Sequence, residues 1–250
     1  VFNAFLNGEI IMLPLKDMNP TRRFPFMTYT LIVVNVLVFF WELRFSPEEL
    51  EAALNSLALV PANASAHPFA PATILSVIRS MFFHGGWIHL LGNMLYLYLF
   101  GDNVEDRLGW IMYVVLYFGS GFAAAWTQIA IDPTSTIVLV GASGAIAGVL
   151  GSYFLFFPGV RVKGIVMLSF IAFGTNWPAW VVIGLWFLVQ LFNGVASLGV
   201  ATSGGGVAFF AHIGGFVFGL LLTRLVMIFC PQPPAHERYD ILYQRARRNL

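Results

Sequence analysis

The sequence predicts an all-α membrane protein, a bundle of six transmembrane helices. Three observations predict it. Of 250 residues, 58% are hydrophobic and only 10% are charged, where a soluble domain of this size would be about one quarter charged. Six apolar runs approach the length needed to cross the hydrocarbon core, about 17–25 residues in a helix. The basic residues also divide unevenly between the loops on the two sides, as membrane insertion requires. A net charge of +1 gives no footing for nucleic acid, and the single cysteine, Cys230, excludes an internal disulfide.

The chain opens with "VFNAFLNGEII", which precedes Met12, and the text from Met12 reads as a self-sufficient start. Residues 1–11 are therefore expected to be an upstream extension of a cytoplasmic segment that ends near residue 24. The first apolar run, Pro25 to Trp41, follows Lys16, Arg22 and Arg23. It lacks a small-residue cleavage pattern and reads as an anchor, not a cleaved signal. The long loop over 42–86 contains "SPEEL", in which Ser46 can cap a helix, Pro47 take its first position and Glu49 complete a capping box. The second run spans Trp87 to Phe100, and the acids behind it, Asp102, Glu105 and Asp106, read as loop caps paired with Arg107.

The third run covers Trp110 to Ile131, and the fourth Ser143 to Phe157. "KGIVMLSFIAF", Lys163 to Phe173, is too short to span and reads as interfacial or re-entrant, with a seventh partial helix as the other choice. The fifth run is Pro178 to Phe192 and the sixth Val207 to Phe229. Between them lies the Gly-rich "GVASLGVATSGGG", and a basic tail, 230–250, closes the chain. Placing both termini in the cytoplasm puts Lys16, Arg22, Arg23, Arg107, Arg161, Lys163, Arg224, Arg238, Arg245, Arg247 and Arg248 inside, and only Arg44 and Arg79 outside. That is the expected orientation of a multi-pass protein, with a bacterial inner membrane as the expected setting.

Ionisable groups within a bilayer are costly and are functional candidates by default. His84, His89 and His212 stand at the starts of membrane segments. The second, fourth and sixth runs all pass from outside to inside, so His89, Asn93, Ser143 and His212 share one depth in the outer half. His89 and Asn93 lie i and i+4 on one helix face. A serine beside a histidine base is the minimal activated nucleophile. A helix starting at Ser143 directs free N–H groups at the site, and Asn93 and His89 can donate from the second helix. Asp132 is the only acid near enough to be weighed as a third member; its other reading is a turn residue in "IDPTS". Gly144 and Gly148, and Gly215 and Gly219, form two G-x-x-x-G pairs that permit close helix approach.

Three motifs, "HGGWIHLLGNM", "GASG" and "AHIGGFVFG", occur in this order between His84 and Gly219. From about Met12 to Phe229 the chain resembles the rhomboid intramembrane serine proteases. The resemblance implies a rhomboid-type six-helix domain over 25–229, a Ser143–His212 dyad and cleavage of other membrane proteins in or near their transmembrane segments. It also implies an oxyanion site from Asn93, His89 and the Ser143 backbone N–H, with His84 and the glycines Gly141, Gly144, Gly148, Gly215 and Gly219 in support. No cofactor or metal is implied. The partners are transmembrane substrates and the lipid bilayer.

Two departures stand out. Ala147 occupies the position where some members stack an aromatic ring on the histidine, so His212 must be held otherwise. The first outer loop has Arg79 but no nearby tryptophan for the Trp-Arg pair of other members. A zinc protease would want H-E-x-x-H, and an aspartyl protease two membrane aspartates; neither is present. A transporter would want polar groups through the full bilayer. The alternative left open is a non-catalytic relative that binds membrane helices without cutting them.

Overall fold

The computed structural model describes residues 10–168, 171–198 and 207–230. The expectations for the upstream segment 1–9, the centre of the Gly-rich loop and the basic tail beyond Cys230 lie outside the described residues. The chain runs β1 (Ile10–Asp17), α1 (Phe26–Glu42), α2 (Pro47–Leu57), α3 (Pro61–Ala64), α4 (Pro71–Ser80), α5 (Trp87–Leu108), α6 (Trp110–Ile131), α7 (Ser143–Phe156), β2 (Arg161–Leu168), β3 (Ile171–Pro178), α8 (Ala179–Ser197) and α9 (Phe209–Phe229). The fold is mostly helical. By length and composition α6, α8 and α9 can each cross a membrane; α1 and α7 are apolar but shorter.

The centre of the bundle is α7. Nearly every residue from Gly144 to Tyr153 is buried. A helix apolar all round belongs in the middle of a bundle, and α7 packs against α5, α6, α8 and α9. The close approach to α9 uses the anticipated glycines. A Cβ on Gly215 would fall on the carbonyl oxygen of Gly144, and one on Gly219 on the carbonyl of Gly148. On the other flank, a Cβ at Gly144 or Gly148 would strike Ala124 or Ser120 of α6. The small residues thus set the spacing of three helices at once.

The long loop after α1 is structured. Ser46 and Glu49 form the expected capping box at the start of α2. Behind it Leu59, Ala64 and Val77 pack on Ala125 and Ile129 of α6. The loop is also tied to the segment that leads into α7. Leu139 N–H donates to the Leu59 carbonyl at 2.8 Å, and Gly141 N–H donates to the Ser80 carbonyl at 2.8 Å.

Three readings change. The all-α expectation misses a three-stranded antiparallel sheet, ordered β1-β2-β3. The described residues of the run from Lys163 to Phe173 form no partial helix but lie in the antiparallel strands β2 and β3. Val162, Gly164 and Val166 are buried while Arg161 and Lys163 are exposed, a period of two that marks a strand. Its apolar content masked that alternation. Second, α5 runs past Phe100 to Leu108, because the buried Gly101 weakens the helix without ending it and the stop comes at Gly109, at φ 78°. Asp102, Glu105 and Asp106 are therefore helical, not loop caps.

Third, Glu105 is buried and accepts from the N–H groups of Met27 and Thr28, at 2.8 and 2.7 Å, and from the Thr28 hydroxyl. It caps α1 from a distant helix, in place of a local N-cap residue. The Arg107 guanidinium lies over the Phe156 ring and donates to the Cys230 carbonyl.

The sheet sits where α5 and α7 end and α1 and α8 begin, at the opposite end of α7 from Ser143. Asp17 in β1 accepts hydrogen bonds from Tyr153 Oη at 2.8 Å and Asn103 Nδ2 at 2.9 Å. Burial raises its carboxyl from 3.8 to about 7, against the hydrogen bond from Tyr153. The folded chain therefore keeps a proton that the unfolded chain releases. The associated stability is complete below pH 3.8 and is lost as pH rises through about 7, with an upper bound of about 4 kcal/mol. We expect Asp17→Asn to melt higher than wild type at pH 8 and the difference to shrink at pH 5. Thermal melts at both pH values check this; a pH-independent difference would refute it.

Candidate active site

Ser143 is the first residue of α7 and His212 lies in the first turn of α9. The glycine-set contact between these helices brings the two side chains together. Ser143 Oγ and His212 Nε2 are 2.8 Å apart, and both residues are only partly buried. The approach to Ser143 is shaped by Gly141, whose φ of +122° favours glycine.

His89 and Asn93 border the same turn. A Cβ on Gly141 would stand 2.7 Å from His89 Nε2 and 3.6 Å from Asn93 Nδ2. Gly85 N–H donates to His89 Nδ1 at 3.3 Å. Nδ1 is then the acceptor, so the ring proton lies on Nε2, the nitrogen that faces Gly141. Asn93 is 8% exposed, and its Nδ2 has no hydrogen-bond partner among the described residues. Two N–H donors therefore border the turn that carries the serine. A cavity of about 50 Å³ on the α6 side of Ser143 is lined by Ser143, Gly141, Met81, Ala124, Leu139 and Ala211, among others, and not by His89 or Asn93. A wider one, about 420 Å³, lies between α1, α2 and the His84 loop and contains no serine–histidine pair.

His84 stands apart from the pair. It is 1% exposed. Its backbone N–H donates to the Glu42 carboxylate, and its Nδ1 is 3.1 Å from the Phe82 carbonyl. It fastens the loop ahead of α5 to the end of α1, with its ring edge-on to His89 at 5.2 Å. Asp132 is exposed in the turn after α6, where it accepts from Thr134 Oγ1. The His212 nitrogen that a third member would approach is already engaged by Gln190.

Comparison with known sequences decides the family. The rhomboid domain model matches residues 71–229. The chain belongs to the rhomboid family. It is 36% identical over 147 residues to RHOMBOID-like protein 4 of Arabidopsis thaliana, covering 58% of this chain and 32% of that one. It is 30% identical over 151 residues to the mitochondrial Rhomboid protein 1 of Saccharomyces cerevisiae, covering 59% and 40%. Against the rhomboid protease AarA of Providencia stuartii it is 28% identical over 210 residues, covering 79% and 71%. The chain thus spans less than half the length of the two eukaryotic relatives named here.

Sequence reasoning missed the groups that hold His212. In place of a ring at position 147, this rhomboid supports its histidine from α8. Trp186 lies 5.8 Å from the imidazole at 36°, and Gln190 Oε1 is 2.8 Å from Nδ1. A signal existed, since Gln190 is the one polar side chain in "AWVVIGLWFLVQLF". A lone amide in such a run is a candidate by the same rule that singled out the histidines. Glu42, 1% exposed at the end of α1, escapes the sequence too, because the apolar run stops one residue short of it, at Trp41.

Proposed function

We propose that this rhomboid is an intramembrane serine endopeptidase that cleaves other membrane proteins in or near their transmembrane segments. The observation that carries the reading is the 2.8 Å hydrogen bond between Ser143 Oγ and His212 Nε2. His212 Nε2 takes the hydroxyl proton as Oγ adds to the scissile carbonyl carbon. Negative charge develops on the carbonyl oxygen, and Asn93 Nδ2, His89 Nε2–H and the Ser143 N–H stabilise it. His212 then protonates the departing amine. Water, deprotonated by the same nitrogen, releases the acyl group from Ser143 and restores the hydroxyl.

Six helices, α1 and α5 to α9, form the membrane domain in this reading, with residues 25–229 as its extent. Both termini face the cytoplasm, and the setting is a bacterial inner membrane. The lopsided Lys/Arg distribution supports the orientation, and the match to AarA of Providencia stuartii is compatible with the setting. At 14 residues, α7 is about 21 Å long, shorter than the roughly 30 Å hydrocarbon core. Its serine end then lies below the outer surface, within reach of water from that side.

A fluorophosphonate probe tests the reading, because it bonds only to an activated serine. We expect purified protein to be labelled and Ser143→Ala to remain unlabelled at equal folded content. Absence of labelling in the wild type would favour the non-catalytic helix-binding alternative.

A further inference from the structure

The dyad's histidine is engaged on both nitrogens, and the partner on the far side is an amide. Gln190 is 7% exposed and sits on α8, one turn after Trp186. Which atom of the amide meets the ring is settled by its other contact. Gln190 Nε2 lies 3.4 Å from the Trp186 carbonyl oxygen. Reversing the amide would set two acceptors, Oε1 and that carbonyl, against each other. The NH₂ therefore points to Trp186 and Oε1 to His212 Nδ1, at 2.8 Å. A carbonyl oxygen can only accept, so Nδ1 carries the proton. In a neutral imidazole the other nitrogen then offers its lone pair, and Nε2 is the atom 2.8 Å from the Ser143 hydroxyl.

We propose that Gln190 is the positioning residue of the site: it holds His212 in the one tautomer that can accept the serine proton, and Trp186 limits the swing of the ring. The inference rests on the protease reading of Ser143 and His212. It draws the reacting unit from three helices, with the nucleophile on α7, the base on α9 and its orienting group on α8, beside the donors of α5. Gln190 stands where other serine hydrolases keep a carboxylate. An amide oxygen orients the ring and supports its charge less than an ion would. It also avoids a buried anion among apolar side chains, which would be costly in a membrane. Asp132 plays no part in this arrangement.

Gln190→Leu keeps a side chain of comparable bulk and removes the acceptor. We expect kcat to fall roughly 10- to 100-fold with KM within about three-fold. That is well short of the ~10⁴-fold seen where a triad's orienting group is changed so that the wrong tautomer results. Gln190→Glu restores an acceptor for Nδ1–H and should recover most of the lost kcat. A packing role alone would lower the melting temperatures of both variants and separate neither kcat from KM nor Glu from Leu. The inference is overturned if Gln190→Leu turns over at the wild-type rate, or if Gln190→Glu is no better than Gln190→Leu. It falls together with the protease reading only if wild type neither cleaves nor takes the fluorophosphonate. A wild type that does both, beside an unaffected Gln190→Leu, would sink the Gln190 assignment alone.

Discussion

Ser143→Ala is expected to abolish cleavage, His212→Ala to abolish it as well, and the double variant to be no slower than either. A serine hydroxyl is a poor nucleophile until a base removes its proton, so each group is ineffective without the other. Losses in such a unit do not add. The expected fall in kcat is on the order of 10⁴-fold or more for each single variant, by comparison with a soluble serine protease. The two side chains are linked by a 2.8 Å hydrogen bond, and the small alanine leaves the glycine contacts between α7 and α9 intact. Turnover of a transmembrane substrate in liposomes, with and without a chelator, measures all of this. Clear turnover in Ser143→Ala, near the wild-type rate, or a double variant slower by the product of the single effects, would exclude the dyad. Chelator sensitivity would point to a metal instead.

The second large effect is expected at Asn93. Its side-chain N–H is held near the Gly141 turn without a partner among the described residues. A buried donor of that kind normally carries a cost of about 1–3 kcal/mol. The proposed oxyanion site would explain the cost, since the donor would be engaged only when the carbonyl oxygen becomes negative. Removing one such donor lowers kcat by roughly 10²–10³-fold. Asn93→Ala should therefore keep KM within a few-fold and lose turnover severely. Its melting temperature should stay level or rise, because no hydrogen bond is lost. Were Asn93 only a bond between helices, the variant would instead melt lower with kcat unchanged. Melts and turnover on one preparation separate the two outcomes. His89→Ala is expected to lower kcat similarly, with some loss of stability from the broken Gly85 contact.

Much of the helical frame was legible in the chain. The third run, Trp110 to Ile131, coincides with α6, and the starts of α5 and α7 at Trp87 and Ser143 were read directly. Hydropathy, helix breakers and glycine spacing are local patterns, and membrane segments are selected largely by local apolarity. The nearness of Ser143 and His212 was also inferable, because parallel spans share depth and the G-x-x-x-G pairs draw two helices together.

The sheet escaped because apolar strands and apolar helices of eight to eleven residues look alike, and β1 has meaning only beside β2. Partnerships across long sequence separations were closed to any local reading. Glu105 caps α1 from 77 and 78 residues away, and Gln190 reaches His212 across 22. A sequence can mark such a residue as out of place in an apolar run. Only the packed helices decide which polar atom it meets, because burial favours a hydrogen bond with whatever partner the fold has put within reach. The sequence by itself thus determined the membrane class, the helical runs and the residues with reactive side chains. The tertiary structure decided which nitrogen of His212 faces Ser143, through an amide on a helix that carries none of the three motifs read from the sequence.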